Sequence, residues 1–366
     1  MKIALIGPGY GHNIIPYLIY FDKQNKHQVD FYYHNNDNFS SQFKNLKFFS
    51  IPTKLIHLFF NAHKYDIFWL MGGGRLFYIV AILKLFIRSK TKLVIYPYSE
   101  ELPRRTKEKN LKGYLTTKAL SFFNIIHCGW YGIADLLNTK LKEKILIFPM
   151  GLNEDFYKIS EYPDKEIANL INKIDKDSYN FYYPKSFTNS SRHDLVIEAV
   201  RILNDEEELP PYKVYFIGGN VIDNKRFEFL NNLISNYRLT ENIIILPKTK
   251  FFKTEDLNLI WRNIDCGLQI AERDGISTTI FEPLINKKDL IISDIPPYKY
   301  IKSFFGFDLE LTPLDAKAIA VEMKNKILGV NIRSDKEKIQ IKNIIQSKYK
   351  FENNLTQLLL KFEKDN

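Results

Sequence analysis

The feature of this sequence that most constrains its fold is an alternation of short apolar runs with helical segments, which occurs twice along the chain. In the first half, apolar runs at residues 1–7, 67–71 and 93–96 and a predicted strand at 28–33 alternate with segments of helical periodicity. Runs of this kind are typical of parallel strands buried on both faces. After a polar, charged stretch at 153–178 the alternation starts again. The pattern therefore predicts α/β architecture with two doubly wound domains.

A chain of 366 residues is too long for one comfortable core and fits two domains of ordinary size. We expect an N-terminal Rossmann-like domain at residues 1–152, a linker at 153–178 and a second Rossmann-like domain at 179–334. The segment 335–366 carries apolar residues at helical spacing, and we expect its helices to pack back on the N-terminal domain. Two such domains in tandem predict ligands at the carboxyl ends of the strands, in a cleft that the domains face.

Cysteine usage and hydropathy indicate the compartment. Cys128 and Cys266 lie far apart and form no disulfide framework, which favours a reducing cytoplasm. The opening Met-Lys-Ile-Ala-Leu-Ile-Gly is typical of a buried strand rather than a signal peptide. The most apolar later stretch, 76–87, is shorter than the ~20 residues of a membrane span. We therefore expect a cytoplasmic chain with no transmembrane segment.

The formal charge of +10 is unevenly distributed. Between Lys84 and Lys118 there are ten Lys or Arg residues against three Glu, and apolar residues are interleaved with the first of them. An anionic membrane surface and a merely solvated surface both fit this pattern. The first alternative predicts peripheral attachment at the inner face of the plasma membrane. No nucleic-acid-binding motif accompanies the charge, so we do not expect a nucleic-acid partner. The interleaved apolar residues are Leu76, Phe77, Tyr78, Leu85 and Phe86.

Glycines follow the first strand in the sequence Gly-Pro-Gly-Tyr-Gly-His at 7–12. Gly9 and Gly11 permit a tight turn and a close approach of the backbone to a bound phosphate or sugar. The spacing is not Gly-x-Gly-x-x-Gly, and no acidic residue ends the second strand, which weakens a dehydrogenase interpretation. A plain strand-to-helix turn explains the same glycines.

The segment with most chemistry is 271–284, which follows a predicted strand and opens a helix. Its backbone N–H groups and hydroxyls suit a diphosphate, and a carboxylate such as Asp274 or Glu282 suits a sugar diol. A helix capping box formed by Thr279 and Glu282 is the structural alternative. The residues that would face the diphosphate are Gly275, Ile276, Ser277, Thr278 and Thr279.

A second polar loop, at 184–193, carries two cations, Lys185 and Arg192. Two cations at the carboxyl edge of a sheet would neutralise a diphosphate, although solvated surface charge is the alternative for either residue. An Asp-x-Asp sequence occurs once, at Asp175 and Asp177, before a strand rather than after one. We therefore expect no metal: the two cations and the helix N-terminus would take its place.

In this order and spacing the chain resembles the retaining GT-B glycosyltransferases of glycosyltransferase family 4. Lys185 and Arg192 stand at the phosphate-binding Arg and Lys of that family with the two types exchanged. Asp274 and Glu282 stand at its "Glu, seven residues, Glu" block. The segment 124–153 is similar to the family's segment leading into Pro-Asn-Gly, with Met150 in place of the Asn.

The resemblance implies roles for these positions. Glu282 would hold the ribose hydroxyls, and Asp274 would contact the donor sugar and is the candidate catalytic residue. Lys185, Arg192 and residues 275–279 would hold the diphosphate. The backbone near Pro247 and Lys248 would meet the base, and Gly9 and Gly11 would approach from the other domain.

The acceptor side departs from the family, because Tyr96-Pro-Tyr-Ser-Glu stands where a histidine is usual. Tyr98, Glu100 and His127 are acceptor-side candidates, and a purely structural role is the alternative for His127. The sequence thus predicts transfer of a hexose from a nucleotide-diphosphate sugar to a surface-glycan or lipid-linked acceptor, as in polysaccharide biosynthesis. Retention is implied by the resemblance alone, and no cofactor beyond the donor is expected. A GT-B sugar-nucleotide epimerase and a catalytically silent binding partner are the alternatives.

Overall fold

In the computed structural model the chain folds into two compact units, and the first of them consists of two separate stretches of sequence. The first unit comprises Met1–Gly151 and Phe351–Asn366, and the second comprises Leu152–Lys350. The residues described within them are 1–7, 14–33, 43–51, 54–72, 75–85, 87, 90–97, 101–206, 208–217, 224–246, 252–275 and 277–364.

The first unit is built on a parallel sheet whose central strands, such as β1 and β4, are mostly apolar. Its order is β3-β2-β1-β4-β5-β6-β7, so the winding direction reverses between β1 and β4, as in doubly wound folds. Its strands are β1 (Lys2–Gly7), β2 (Gln28–Tyr33), β3 (Lys47–Ser50), β4 (Ile67–Met71), β5 (Lys92–Tyr96), β6 (Ile125–Cys128) and β7 (Ile145–Ile147). Helices connect these strands: α1 (Ile15–Gln24), α2 (Leu55–Asn61), α3 (Arg75–Leu83), α4 (Glu101–Arg105), α5 (Leu111–Ser121) and α6 (Tyr131–Leu136).

The second unit repeats the plan with the order β10-β9-β8-β11-β12-β13, again parallel. Its strands are β8 (Tyr179–Tyr183), β9 (Tyr212–Ile217), β10 (Ile243–Leu246), β11 (Cys266–Gln269), β12 (Asp289–Ser293) and β13 (Leu311–Thr312). Its helices are α7 (Lys165–Asn172), α8 (His193–Asn204), α9 (Asn224–Asn236), α10 (Thr254–Arg262), α11 (Thr278–Ile285), α12 (Pro296–Phe305), α13 (Ala316–Ile327) and α14 (Asp335–Lys348).

The C-terminal segment is divided between the two units. Ile341 and Ile345 of α14 pack in the second unit against the core around Phe281. The last helix, α15 (Phe351–Lys364), belongs to the first unit, where Phe362 packs edge-on against Trp69. Only the last part of the segment 335–366 therefore covers the N-terminal sheet. Both helices bury an apolar face, so each needs a sheet or helix to pack against.

The charged stretch 153–178 contains a helix of its own. Ile167 and Leu170 of α7 enter the core of the second unit beside Trp261, and Asp164 caps the helix by accepting a hydrogen bond from the Glu166 backbone N–H. The stretch is therefore part of the second unit and not an open connection.

The most apolar sequence stretch lies mainly in α3. Phe77 and Val80 are fully buried, and Phe77 stacks on Phe123 of the segment that follows α5. Much of its apolar character thus serves core packing in the first unit, whereas Ile82 and Leu85 are exposed. Within the residues that the structure describes, none of the helices has both the length and the apolarity to cross a bilayer.

Candidate functional site

Two loops leave the same edge of the second sheet side by side. Strands β8 and β11 pair in parallel, with Phe181 opposite Cys266, so the loops that follow them are adjacent. The Tyr183 hydroxyl donates to the backbone oxygens of Ser191 and Ile270 and so ties one loop to the other. The apolar strands thus bring together the two polar loops that the sequence singles out.

Asp274 is the most heavily hydrogen-bonded carboxylate of these loops. Its Oδ2 accepts from Lys185 Nζ at 2.6 Å, from Gln269 Nε2 at 2.6 Å and from the Tyr298 hydroxyl at 2.7 Å. Its Oδ1 accepts from the Gly275 backbone N–H at 2.9 Å. Burial raises the pKa of Tyr298 well above its usual value, so this hydroxyl stays a donor. Four donors hold the carboxylate in one orientation.

Lys185 connects this carboxylate to the start of α11. Its ammonium donates to Ser277 Oγ at 3.1 Å as well as to Asp274, and both ionic side chains are about 15% exposed. Ser277 contacts the Thr279 hydroxyl at 2.6 Å, and Thr279 donates to Gln269 Oε1 at 2.9 Å. The five side chains form a closed ring of hydrogen bonds at the amino end of α11.

The amino end of α11 is a natural place for an anion. Ser277 is its N-cap residue and makes no side-chain capping bond, since its hydroxyl belongs to the ring. The helix dipole and the first-turn N–H groups give this end a partial positive charge. Helix α11 begins at Thr278, so Thr279 lies inside the helix and the capping-box alternative is not formed.

Glu282 lies on the second turn of α11 and is only 6% exposed. Its Oε2 accepts from Trp261 Nε1 at 3.0 Å, and its Oε1 accepts from the Thr278 hydroxyl at 3.2 Å. The carboxylate is thus oriented by the neighbouring helix α10. Gly267 allows this packing, because a Cβ there would lie 3.1 Å from the Pro283 ring.

Arg192 makes a different set of contacts from Lys185. Its guanidinium binds Asp194, with Nη2 3.1 Å from Oδ2, and Arg226 of α9 donates to the other oxygen of the same carboxylate. Burial alone would raise the pKa of Asp194, but the hydrogen bonds and charges of the two arginines outweigh it and lower the pKa. Two guanidinium groups thus share one carboxylate, which leaves this trio with a net positive charge.

Several candidate residues fall where the structure offers no description. These are Gly9, Gly11, Tyr98, Glu100, Pro247, Lys248 and Ile276, which lie outside the described residues. Of the acceptor-side candidates His127 is described. It is fully buried on β6, stacks on Tyr96 at 4.4 Å, and its Nε2 lies 2.7 Å from the Phe148 carbonyl oxygen. Burial lowers the pKa of His127 to about 4. These surroundings fit its structural alternative better than a role at an acceptor.

Four residues of this region were not singled out from the sequence: Gln269, Tyr298, Trp261 and Arg226. Arg226 carried a weak signal, because it follows a Gly-Gly pair after a predicted strand.

The Asp175 carboxylate accepts hydrogen bonds from the Asp177 backbone and the Ser178 hydroxyl, before β8 begins. Across the described part of the chain, no group of three or more His, Cys, Asp or Glu side chains is placed to hold a metal ion.

Two doubly wound parallel sheets in one chain fit the GT-B class of fold. No family model matches the sequence, and no curated protein matches it. Solved structures match the whole chain at low identity. Anabaena Alr3699/HepE in complex with UDP-glucose is 12% identical with a TM-score of 0.75, covering 100% of both chains.

Two further structures show the same likeness. A glycosyltransferase from Rickettsia africae ESF-5 is 15% identical with a TM-score of 0.73, over 99% of this chain and 98% of that one. Sucrose-phosphate synthase from Thermosynechococcus elongatus is 12% identical with a TM-score of 0.70, over 100% and 98%. The predicted α/β fold with two Rossmann-like domains of the GT-B class is thereby confirmed.

Proposed function

We propose that this protein is a glycosyltransferase whose nucleotide-diphosphate sugar donor binds with its diphosphate against the amino end of α11. The observation that carries the proposal is the position of Lys185, whose ammonium joins the Ser277 N-cap hydroxyl to the Asp274 carboxylate. A cation and a helix N-terminus converge there, and each attracts phosphate oxygens.

Departure of a nucleoside diphosphate leaves negative charge that must be stabilised in the transition state. Lys185 carries three N–H donors, of which Asp274 and Ser277 take two in the described contacts. The third, with the N–H groups of α11, is our proposed ligand for the leaving diphosphate. In this proposal the chain needs no metal and no cofactor other than its donor substrate.

Asp274 is the proposed contact of the donor sugar, and Glu282 is the proposed contact of the ribose of the nucleotide. Asp274 Oδ1 accepts a backbone N–H, and an oxygen with two lone pairs has room for a donor-sugar hydroxyl as well. On Glu282, Oε2 holds the Trp261 indole, so a ribose hydroxyl would replace the longer bond from Thr278 to Oε1. Tyr298 and Gln269 are proposed to position Asp274.

The finer parts of the proposal come from the family resemblance and from one structural likeness. A hexose donor, transfer with retention, and a surface-glycan or lipid-linked acceptor follow from the resemblance. The HepE structure contains UDP-glucose, which makes UDP-glucose the first donor to test here. We also propose a cytoplasmic location, with which the two buried free cysteines agree.

A thermal-shift screen against nucleoside diphosphates tests donor binding. A ligand at about 100 times its dissociation constant stabilises the native state by ~2.7 kcal/mol, which shifts the melting temperature measurably. Nucleotide release from a panel of nucleotide sugars, with glycan or lipid-linked acceptors, then tests transfer. If no nucleoside diphosphate stabilises the protein, the proposed donor site is refuted.

One observation favours a second function, a catalytically silent protein that binds nucleotide sugars. Protein donors already surround Asp274, which is what a purely structural carboxylate would show. Asp274→Asn separates the two functions. An enzyme loses its turnover while keeping most of its nucleotide affinity, whereas a silent protein releases no nucleotide before or after the change.

A further inference from the structure

Helix α5 of the first unit has its apolar residues on the wrong side for a helix that merely covers a sheet. The side chains Leu111, Tyr114 and Leu115 are 73%, 62% and 47% exposed. Its buried positions are taken largely by small residues, including Gly113 and Thr116. A surface helix normally shows the reverse pattern, with large apolar side chains inward. The outward face of α5 is therefore built to contact something other than water.

The packing of α5 fixes this orientation. The Asn110 side chain caps the helix by accepting from the Gly113 backbone N–H at 2.8 Å. A Cβ on Gly113 would lie 2.2 Å from the Glu108 backbone oxygen, so only glycine lets the turn before α5 lie so close to the helix. The Thr116 hydroxyl contacts the Tyr78 hydroxyl of α3 at 3.0 Å. The helix cannot roll to bury its leucines without breaking these contacts.

Basic residues surround the exposed leucines. Leu111, Tyr114, Leu115 and Lys118 follow the i, i+3, i+4, i+7 spacing of one helix face. The helix carries no acidic residue, and the stretch 104–118 holds six Lys or Arg residues against Glu108 alone. Lys112 and Lys118 are exposed. Apolar side chains rimmed by lysines are typical of surfaces that insert shallowly into anionic bilayers.

We propose that the outward face of α5 docks the protein on an anionic lipid bilayer. Charge complementarity selects this occupant, because the face offers cations around its apolar residues. A stable protein interface needs about 800 Å² from each partner, whereas interfacial insertion needs only a few apolar side chains. The apolar residues that accompany the basic stretch 84–118 on the bilayer are then those of α5. They are not those at the beginning of α3, where Phe77 is buried.

Vesicle flotation of the full chain tests the docking. Vesicles of phosphatidylcholine alone are compared with vesicles containing about one third phosphatidylglycerol, at low and high salt. We expect binding only to the anionic vesicles, weakened by salt. The variant Leu111→Gln with Leu115→Gln should partition about tenfold more weakly or worse, since each CH₂ withdrawn from water contributes roughly fourfold. Lys112→Gln should weaken binding about fivefold.

A matched control uses two exposed apolar residues of α13 and its end, Val321 and Leu328, changed to Gln in the same way. These variants should float like the unchanged protein. Equal binding to both kinds of vesicle, no binding to either, or equal loss in the control would overturn the proposal. So would a change of oligomeric state in the α5 variant by analytical ultracentrifugation, because it would assign the face to a second copy.

The docking proposal and the proposed function fail separately. The Leu111→Gln with Leu115→Gln variant should keep the thermal shift with UDP, because α5 belongs to the first unit and the ring around Lys185 to the second. Flotation without any nucleotide-induced shift in the unchanged protein would leave docking intact and remove the glycosyltransferase. A nucleotide shift without flotation would do the opposite.

Discussion

Two carboxylates at the same edge of the second sheet hold cations in contrasting ways. Asp274 pairs with one cation, Lys185, and neutral donors complete its coordination, so the pair carries no net charge. Asp194 is shared by Arg192 and Arg226, so this trio is positive. Proximity of a cation to the proposed phosphate site therefore does not define its role. In the proposed donor site Lys185 would be a positioned donor, whereas the two arginines would contribute positive electrostatic potential.

The largest effect on turnover should come from breaking the pair of Lys185 with Asp274. Lys185→Met leaves Asp274 about 16% exposed without its cation and removes the proposed diphosphate ligand. Loss of such a donor typically lowers kcat by 10²–10³ fold. Stability should fall by about 2–3 kcal/mol rather than more, because neutral donors still satisfy the carboxylate. Nucleotide-release kinetics and urea unfolding measure the two effects.

A control for this change is Lys302→Met, which removes an exposed pair with Asp308. Pairs of that kind contribute ~0–1 kcal/mol, so activity and stability should hardly move. A Lys185→Met variant with normal turnover would mean that the ring is structural and that the diphosphate binds elsewhere.

The next effect sharpens the role of the neutral donors. Tyr298→Phe removes one of the three donors to Asp274 Oδ2 while keeping the ring volume. We expect kcat to fall about tenfold with KM for the donor nearly unchanged, because a loosened carboxylate misplaces the sugar and not the nucleotide. A rise in the donor KM as large as the fall in kcat would indicate that Tyr298 contacts the nucleotide itself.

How much of these regions the sequence predicts depends on how far apart in the sequence the contacting residues lie. The apolar run at 67–71 predicts β4 correctly, because a strand buried on both faces has a distinctive composition. Edge strand β3, with partly polar residues, lacks that composition and was not predicted. The adjacency of Lys185 and Asp274 follows from parallel strands ending at one edge.

The remaining partners of the site depend on packing that no local pattern encodes. Tyr298 lies on α12, 24 residues after Asp274, and no motif marks it. Trp261 has the periodicity of any buried helix residue, so its bond to Glu282 could not be inferred. Helices α14 and α15 have similar apolar spacing, so periodicity predicts their helices but not which unit each covers.

A pH dependence tests the surroundings of the arginine trio. His193 packs between Tyr183 and Phe187, and burial, followed by the charge of Arg226, lowers its pKa to about 3. The native ring stays neutral while the unfolded ring takes up a proton below about pH 6.5. Stability should therefore fall as pH drops, by ~1.4 kcal/mol per pH unit between pH 6.5 and the native pKa.

Buried His127 of the first unit, with a pKa lowered to about 4, adds a similar slope. Urea unfolding between about pH 7.5 and pH 5 measures the sum. The variant His193→Phe keeps an aromatic ring in an aromatic site and should remove the His193 share of the slope, up to ~1.4 kcal/mol per pH unit. An unchanged slope would mean that His193 protonates in the native state, with its charge accommodated next to Asp194.

The smallest effect concerns the size of the trio's positive charge. Asp194→Asn removes the one negative charge between Arg192 and Arg226, so the local field becomes more positive. Affinity for a nucleoside diphosphate should then rise by about two- to fivefold at low salt and return to its former value at high salt. No such gain is expected at Asp274, because the same change there removes the carboxylate that positions the Lys185 ammonium. Titration calorimetry with UDP at two salt concentrations measures both variants. If Asp194→Asn weakens binding instead, then Asp194 positions its arginines as Asp274 positions Lys185, and the two carboxylates act alike after all.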